Sequence, residues 1–300
     1  MPDALTLPPQ QALVAGEWVN TTTTLLVEAP ASGEPLTRIA RCQVDDVAAA
    51  VQAARRAFSG QLGEWARWSA RQRSEWLLRF ANIIEAHHEQ LAQLECADTG
   101  KPMTQARGDI GACARYFRFY GGAADKLHGE TIPFETDFAV MTLREPYGVC
   151  AQIIPWNYPS QIFGRCVAAA LAAGNTVVLK PAEDACLSVL RLAELAVDHG
   201  LPAGALNVVP GLGTEAGAAL AAHPNIDHLS FTGSPETGTR VAQAAAQHHV
   251  PVTLELGGKS PQLVFADADL DAALPAVVRG IIQNAGQTCS AGSRLLVQRE

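Results

Sequence analysis

Residues 148–159 read GVCAQIIPWNYP: a glycine, six residues that are apolar apart from Gln152, then an asparagine held between two prolines. A short apolar run bounded by turn residues fits a buried strand. The same unit recurs. Apolar runs at 149–154, 176–180, 206–209, 228–232 and 252–256 are separated by Ala/Leu-rich stretches of helical character. Strands alternating with helices at this spacing predict an α/β fold, a doubly wound parallel sheet with helices on both faces. Right-handed crossovers place the strand carboxyl ends along one edge, where such sheets bind ligands. Asn157, Lys180, Ser234 and Glu255 all fall at or just past strand ends.

Upstream, 45–58 (DDVAAAVQAARRAF) reads as an amphipathic helix with acids at its start, where the macrodipole favours them. Ser69 is placed to cap a longer helix carrying Trp76, Leu77, Leu78, Phe80, Ile83 and Ile84 and closing near Gly100. Gln105 to Ala124 is helical again. Thr136 to Arg144 (TDFAVMTLR) predicts a strand, followed by a turn at Glu145-Pro-Tyr-Gly148. The three helical segments read as packing and covering elements.

A chain of 300 residues suggests about two domains, and 48% apolar with 17% charged residues is a globular composition. The net charge of −8, without a Lys/Arg block, excludes the footprint of a nucleic-acid binder. The first twenty residues lack a signal-peptide pattern, and no apolar run is long enough to span a bilayer. Seven scattered cysteines without C-x-x-C spacing argue against a disulfide scaffold and a zinc site. The histidines offer no i, i+4 ligand pair; His87–His88 and His248–His249 read as surface residues, so no metal is expected. Reduced thiols point to the cytoplasm.

Five segments carry candidate chemistry, each with a plainer reading beside it. In FTGSPETG, residues 231–238, Gly233 and Gly238 flank a polar turn opening a helix, whose free N–H groups suit a pyrophosphate; a simple turn is the alternative. The G-x-G-x-x-G fingerprint is absent, and Gly211-Leu-Gly213 resembles only its first half. In GNTVVLKPAE, residues 174–183, Lys180 and Glu183 read either as partners of a nucleotide ribose or as an ion pair at a helix start. Asn157, in its rigid turn, reads as an oxyanion donor or as a turn residue satisfying local backbone. Glu255, in LELGGKSP, ends a strand beside two glycines and suits a general base or an ordinary strand-end carboxylate. Cys289 lies in NAGQTCSAGS, residues 284–293, as a nucleophile or a small loop residue; Gly286 and Gly292 leave room for a substrate, and Gln287 and Thr288 add backbone donors.

Together PWNYP, GNTVVLKPAE, FTGSPETG, LELGGKSP and GQTCSAG, in this order, resemble the aldehyde dehydrogenase superfamily from about Trp18 onward. The resemblance implies a Rossmann-like cofactor domain and the start of a second α/β catalytic domain. It implies Cys289 as the thiolate that attacks the aldehyde, with Asn157 and the Cys289 N–H holding the oxyanion. Glu255 would activate the water that hydrolyses the thioester, as in the hydrolytic branch. Lys180 and Glu183 would hold the adenosine ribose. Gly213, Gly233, Ser234 and Gly238 would lie along the pyrophosphate, while Ile154, Pro155, Trp156 and Leu256 would line the cofactor cleft. The implied cofactor is NAD, with NADP as the alternative; Glu183 would repel a 2′-phosphate. The implied domains are 1–129 with 147–257 for the dinucleotide, 130–146 for oligomerisation strands, and 258–300 for the beginning of the catalytic domain.

The sequence departs from the family pattern at Cys166, where a lysine is usual, with Arg165 beside it. It also ends before an E-x-F-G-P segment. The expected protein is therefore the N-terminal part of an aldehyde dehydrogenase, a homo-oligomer at full length. The alternatives are a dinucleotide-binding fragment without turnover and a cysteine acyltransferase or hydrolase independent of nicotinamide. Phe163, Tyr158 and Phe117 are the candidates for an apolar substrate entrance.

Overall fold

The computed structural model describes residues 7–299. Residues 1–6 and 300, the outer ends of the expected cofactor and catalytic domains, lie outside the described residues. The chain opens with a hairpin of β1 (Ala12–Val14) and β2 (Glu17–Val19). Ala15 and Gly16 turn it, both with positive φ, as a two-residue loop that matches strand twist requires. A second hairpin pairs β3 (Thr24–Glu28) with β4 (Pro35–Ala40).

Helix α1 (Val44–Phe58) occupies the predicted segment and begins with a capping box between Gln43 and Asp46. Ser69 caps α2 (Ala70–Ala86) by accepting from the Gln72 N–H. The single helix expected from Ser69 to Gly100 is instead two. At His87 the backbone leaves helical geometry, and its Nδ1 donates to the Ile83 carbonyl at 2.9 Å, satisfying a last-turn acceptor. Helix α3 (His88–Thr99) then runs to Gly100, which closes it at φ +72°. Its neighbour α4 (Met103–Ala123) follows. The adjacent histidines differ from a purely solvated pair: His87 and His88 are half-buried, and His88 Nε2 bonds the Arg107 carbonyl. His248 and His249 are exposed.

The strand expected at Thr136–Arg144 contracts to β6 (Val140–Met141), paired with β5 (Thr131–Ile132) through two residue pairs. A strand extends only as far as its partner offers N–H and C=O groups, and here the partner is two residues long. Phe134, Phe138, Met141 and Leu143 stand exposed around this hairpin.

From Gly148 the predicted alternation is present: β7 (Val149–Ile153), α5 (Pro159–Ala172), β8 (Thr176–Lys180), α6 (Leu187–Asp198) and β9 (Leu206–Val208). A π turn at Gly213–Gly217 leads into α7 (Ala218–Ala221). Then come β10 (His228–Gly233), α8 (Pro235–Ala246) and β11 (Val252–Leu256). The sheet order is β11-β10-β7-β8-β9-β1-β2; the first five strands are parallel and the last two antiparallel. From β7 the chain winds outward to β8 and β9, then crosses back to β10 and β11, so the strand order reverses between β7 and β10. That point opens a crevice at the carboxyl edge.

Strands β7 and β8 are buried along their whole length, which explains why they are mostly apolar. One face of the sheet packs on α2 to α6, the other on α1, α7 and α8. An aromatic run fills the first face: Trp76 stacks on Phe80 (4.9 Å), and Phe80 meets Phe117 edge-on (4.8 Å). Phe117 and Phe163 are fully buried here, so neither lines an entrance, contrary to the sequence expectation. Helices α4 and α5 approach so closely that a Cβ on Gly164 would sit 2.9 Å from the Cys113 Cα, sealing both rings inside. Past the sheet, β12 (Pro261–Val264), α9 (Leu270–Ile282) and β13 (Arg294–Val297) form a separate parallel β-α-β unit.

Candidate active site

The loop after β7 is fixed before it reaches Asn157. Ile154 is buried and donates its N–H to the Lys180 carbonyl (3.1 Å), a core residue rather than part of the cleft wall. Pro155 and Trp156 face the crevice, Trp156 prominently exposed. Asn157 follows, then buried Tyr158 and Pro159 at the first position of α5, where its missing N–H costs nothing.

The cysteine loop reaches the same place from the other domain-like unit. After α9, Asn284, Ala285 and Gly286 take successive left-handed conformations (φ +51°, +56° and +77°) and reverse the chain. Two of these are not glycine, a locally strained turn of the kind found at functional sites. Hydrogen bonds lace the loops together. Asn157 Nδ2 donates to the Gln287 carbonyl (2.8 Å), and Asn284 Nδ2 donates to the carbonyls of Asn157 (3.1 Å) and Gln287 (3.3 Å). The Tyr158 hydroxyl pairs with Thr288 Oγ1. Tyr158 therefore clamps the loop. Gly292 leaves space not for a substrate but for Gln262, whose amide would lie 2.4 Å from a Cβ there.

Cys289 emerges from this clamp into a cleft of about 680 Å³ that Asn157, Glu255, Arg165, Ser234 and Leu256 also line. Glu255 arrives on edge strand β11, and Gly257 donates to the Gly233 carbonyl (3.2 Å), keeping that wall in register. A Cβ on Gly258 would lie 3.6 Å from the Cys289 carbonyl, so the two loops nearly touch. The Glu255 side chain is exposed, because β11 forms the edge of the sheet.

Of the seven free cysteines, Cys289 is the exposed one. Burial pushes the Cys42 and Cys150 thiols up to about 12 and holds Cys113 and Cys186 well above the usual range, so these four stay protonated. Half-buried Cys96 donates to the Lys101 carbonyl (3.0 Å). Cys166, also half-buried, lines a second cavity of about 370 Å³ behind Glu255 and Arg165, both of which it shares with the main cleft.

Lys180, Glu183 and Gly213 assemble apart from Cys289, Asn157 and Glu255. Buried Lys180 pairs with Glu183 at 2.5 Å, and the other Glu183 oxygen accepts from the Gly213 N–H (3.1 Å). Burial works upward on Glu183, but the Lys180 bond and charge outweigh it and hold the carboxyl below its ordinary range. The Gly213 amide is thus engaged by Glu183 rather than free for a pyrophosphate. Ser234 caps α8 by accepting from Thr237 N–H (3.2 Å). Gly233 and Gly238 serve close packing: a Cβ would lie 2.4 Å from the Phe231 ring at the first and 2.6 Å from Leu256 at the second. Gly238 lies inside α8, facing β11, not along the cleft.

Sequence reading missed a set of buried charges: Glu95, Asp98, Lys101 and Asp109. Asp98 Oδ2 accepts from the first N–H of α6, Leu187 (2.7 Å), just past the Lys180–Glu183 loop. Burial pushes the Asp98 carboxyl up to about 7. The folded protein therefore holds a proton that the unfolded chain has released, between about pH 4 and pH 7. The stability this confers is complete below about pH 4 and is lost as pH rises through about 7, by at most about 4 kcal/mol. Asp98→Asn keeps the acceptor without the titration. Thermal melts from pH 5 to pH 8 should fall for the native protein and stay flatter for the variant; parallel curves would contradict the assignment.

Among the described residues no helix is long and apolar enough to cross a membrane, and no cluster of three His, Cys, Asp or Glu could hold a metal.

Comparison with known proteins places this architecture. The family model described as "Aldehyde dehydrogenase family" matches residues 18–300. Aldehyde dehydrogenase family 2 member B4, mitochondrial, from Arabidopsis thaliana is 47% identical over 97% of this chain and 54% of its own length. A solved structure from Burkholderia cenocepacia is 61% identical with a TM-score of 0.94, over 96% of this chain and 61% of that one. The NAD+ complex of aldehyde dehydrogenase from Bacillus cereus is 44% identical with a TM-score of 0.94, over 96% of this chain and 59% of that one. The chain thus spans about half the length of the curated relatives it matches. With the crevice, the laced loops and the family match in agreement, this chain belongs to the aldehyde dehydrogenase family.

Proposed function

We propose that the protein oxidises an aldehyde to a carboxylic acid with NAD, through a thiohemiacetal and then a thioester on Cys289. One observation carries the reading: an exposed thiol, a tethered amide and a carboxylate line one cleft at the point where the strand order reverses.

The residues present fit a dinucleotide. Gly233 and Gly257–Gly258 leave bare backbone on the cleft walls, and the α8 N-terminus opens at Ser234. The ionised Glu183, with lone pairs left beside Lys180 and Gly213, suits a ribose diol and disfavours a 2′-phosphate, which supports NAD over NADP. Bound there, NAD supplies the hydride acceptor.

The side chains then divide the work. The Cys289 thiolate attacks the carbonyl carbon, which converts the aldehyde into an alkoxide able to release hydride. One Asn157 amide hydrogen is held by the Gln287 carbonyl, leaving the other, with the Cys289 N–H, for the oxyanion. Glu255 takes a proton from water, which attacks the thioester carbon, and the cysteine sulfur leaves.

Residues 1–129 and 147–257 are in this reading the cofactor domain, and 258–300 begin the catalytic domain. Residues 130–146, with their exposed Phe134, Phe138, Met141 and Leu143, are oligomerisation strands of a homo-oligomer. The compartment is the cytoplasm, in keeping with seven free thiols.

A second reading rests on the chain's partial span of its relatives and on the bare apolar face of α9, with Leu270, Leu274, Val278 and Ile282 exposed. The 300-residue chain alone would then bind NAD without turnover. Titrating NAD into that chain, beside assays of aldehyde-dependent NAD reduction by it and by the full-length protein, separates the readings. The expected outcome is turnover by the full-length protein and binding alone by the chain. A full-length protein that reduces no NAD with any simple aldehyde would overturn the proposed activity.

A further inference from the structure

Behind the Asn157 loop lie three charges that the chemistry above does not use. The side chains of Lys101, Glu95 and Asp109 are each no more than 1% exposed. The Lys101 ammonium donates to Glu95 Oε1 (2.9 Å), Asp109 Oδ2 (2.7 Å) and the Asn157 carbonyl (2.9 Å), which uses all three of its hydrogens. It also sits over the Tyr158 ring, 4.8 Å from the centroid. The second Glu95 oxygen accepts from Ser160 N–H in the first turn of α5 (3.2 Å), and the second Asp109 oxygen accepts from Gln105 Nε2 (2.8 Å). Burial works to lower Lys101, but Glu95 and Asp109 outweigh it and hold the ammonium charged.

Stability alone is a poor reason to bury such a set, because well-packed apolar residues commonly serve as well or better. What the cluster does is local and directional. It grips residues 157, 158 and 160 at once, on the side of the loop away from the cleft. The Asn157 backbone is pinned by Lys101 Nζ and Asn284 Nδ2 at its carbonyl, and its side chain is pinned to Gln287. With both ends fixed, the remaining amide hydrogen has one direction left.

We propose that Lys101 is a positioning residue that fixes the Asn157 amide for the oxyanion, through its bond to the Asn157 carbonyl and its place in the Glu95–Asp109 cluster. This rests on the reading of Asn157 as an oxyanion donor. A group that acts this way affects hydride release and not cofactor affinity, because Lys101 lies outside the cleft lining.

The test is a double-mutant cycle in the full-length protein, read as the single-turnover rate of NADH formation and as NAD affinity. Asn157→Ala should slow the step about 100-fold. Lys101→Met should slow it about tenfold with NAD affinity unchanged, and the double variant should be no slower than Asn157→Ala alone. Should Lys101→Met fail to fold with two buried carboxylates unpaired, the triple variant Glu95→Gln, Lys101→Met, Asp109→Asn removes every charge and enters the same cycle. Effects that multiply in the double variant, or a folded variant with the native rate, would overturn the positioning role while leaving Asn157 in place. A native rate for Asn157→Ala would instead remove the oxyanion reading, and the proposal with it.

Discussion

Cys289→Ala is expected to leave the full-length protein folded and able to bind NAD but without aldehyde-dependent NAD reduction, a loss on the order of 10⁴-fold or more. The magnitude follows from the absence of a substitute nucleophile. Cys42, Cys113, Cys150 and Cys186 are buried and protonated, Cys96 is tied to the Lys101 carbonyl, and Cys166 opens into the cavity behind Glu255. Cys289→Ser should be almost as inactive, since a hydroxyl needs a base to ionise and, among the described residues, no histidine lines the cleft. The melting temperature should stay within about a degree or two, because an exposed side chain contributes within about 0.5 kcal/mol. Rates equal to those of the native protein would remove the nucleophile from the account.

Glu255→Gln should divide the reaction in two. The variant keeps the size and hydrogen-bonding shape of the side chain but cannot accept a proton. Thiol attack and hydride release do not require that proton transfer, so one equivalent of NADH should form at close to the native rate. Hydrolysis then stalls, and steady turnover falls on the order of 10³-fold. Because Glu255 is exposed on the edge strand, its replacement should leave folding untouched. A stopped-flow trace with a burst followed by a nearly flat line is the expected record. Undiminished steady turnover would make Glu255 an ordinary strand-end carboxylate, the plainer reading its sequence position also allows.

The parallel sheet was legible because strands covered on both faces by helices must be apolar at nearly every position, as β7 and β8 are. Their ends fall within a residue or two of the apolar runs, and the candidate residues stand at those ends. The helix break at His87 was not legible. No glycine or proline marks it, and the side chain at the break returns to a carbonyl of its own helix. The 136–144 strand was overextended for a related reason: pairing depends on a partner, and the partner is two residues long. Phe117 and Phe163 look like entrance residues when only their apolar character is known, and the close α4–α5 crossing at Gly164 places them in the core. Least visible was the cluster behind Asn157. A lysine and two acids in sequence read as a solvated surface, and only the folded packing of α3, α4 and the Asn157 loop brings them together.

Mass spectrometry of Glu255→Gln in the full-length protein, after mixing with a simple aldehyde and NAD, observes the covalent intermediate itself. The predicted result is a peptide containing residues 284–293 heavier by one aldehyde less a hydride and a proton, with the acyl group on Cys289 and none formed when NAD is omitted. An unmodified Cys289 in protein that has produced its equivalent of NADH would contradict the account.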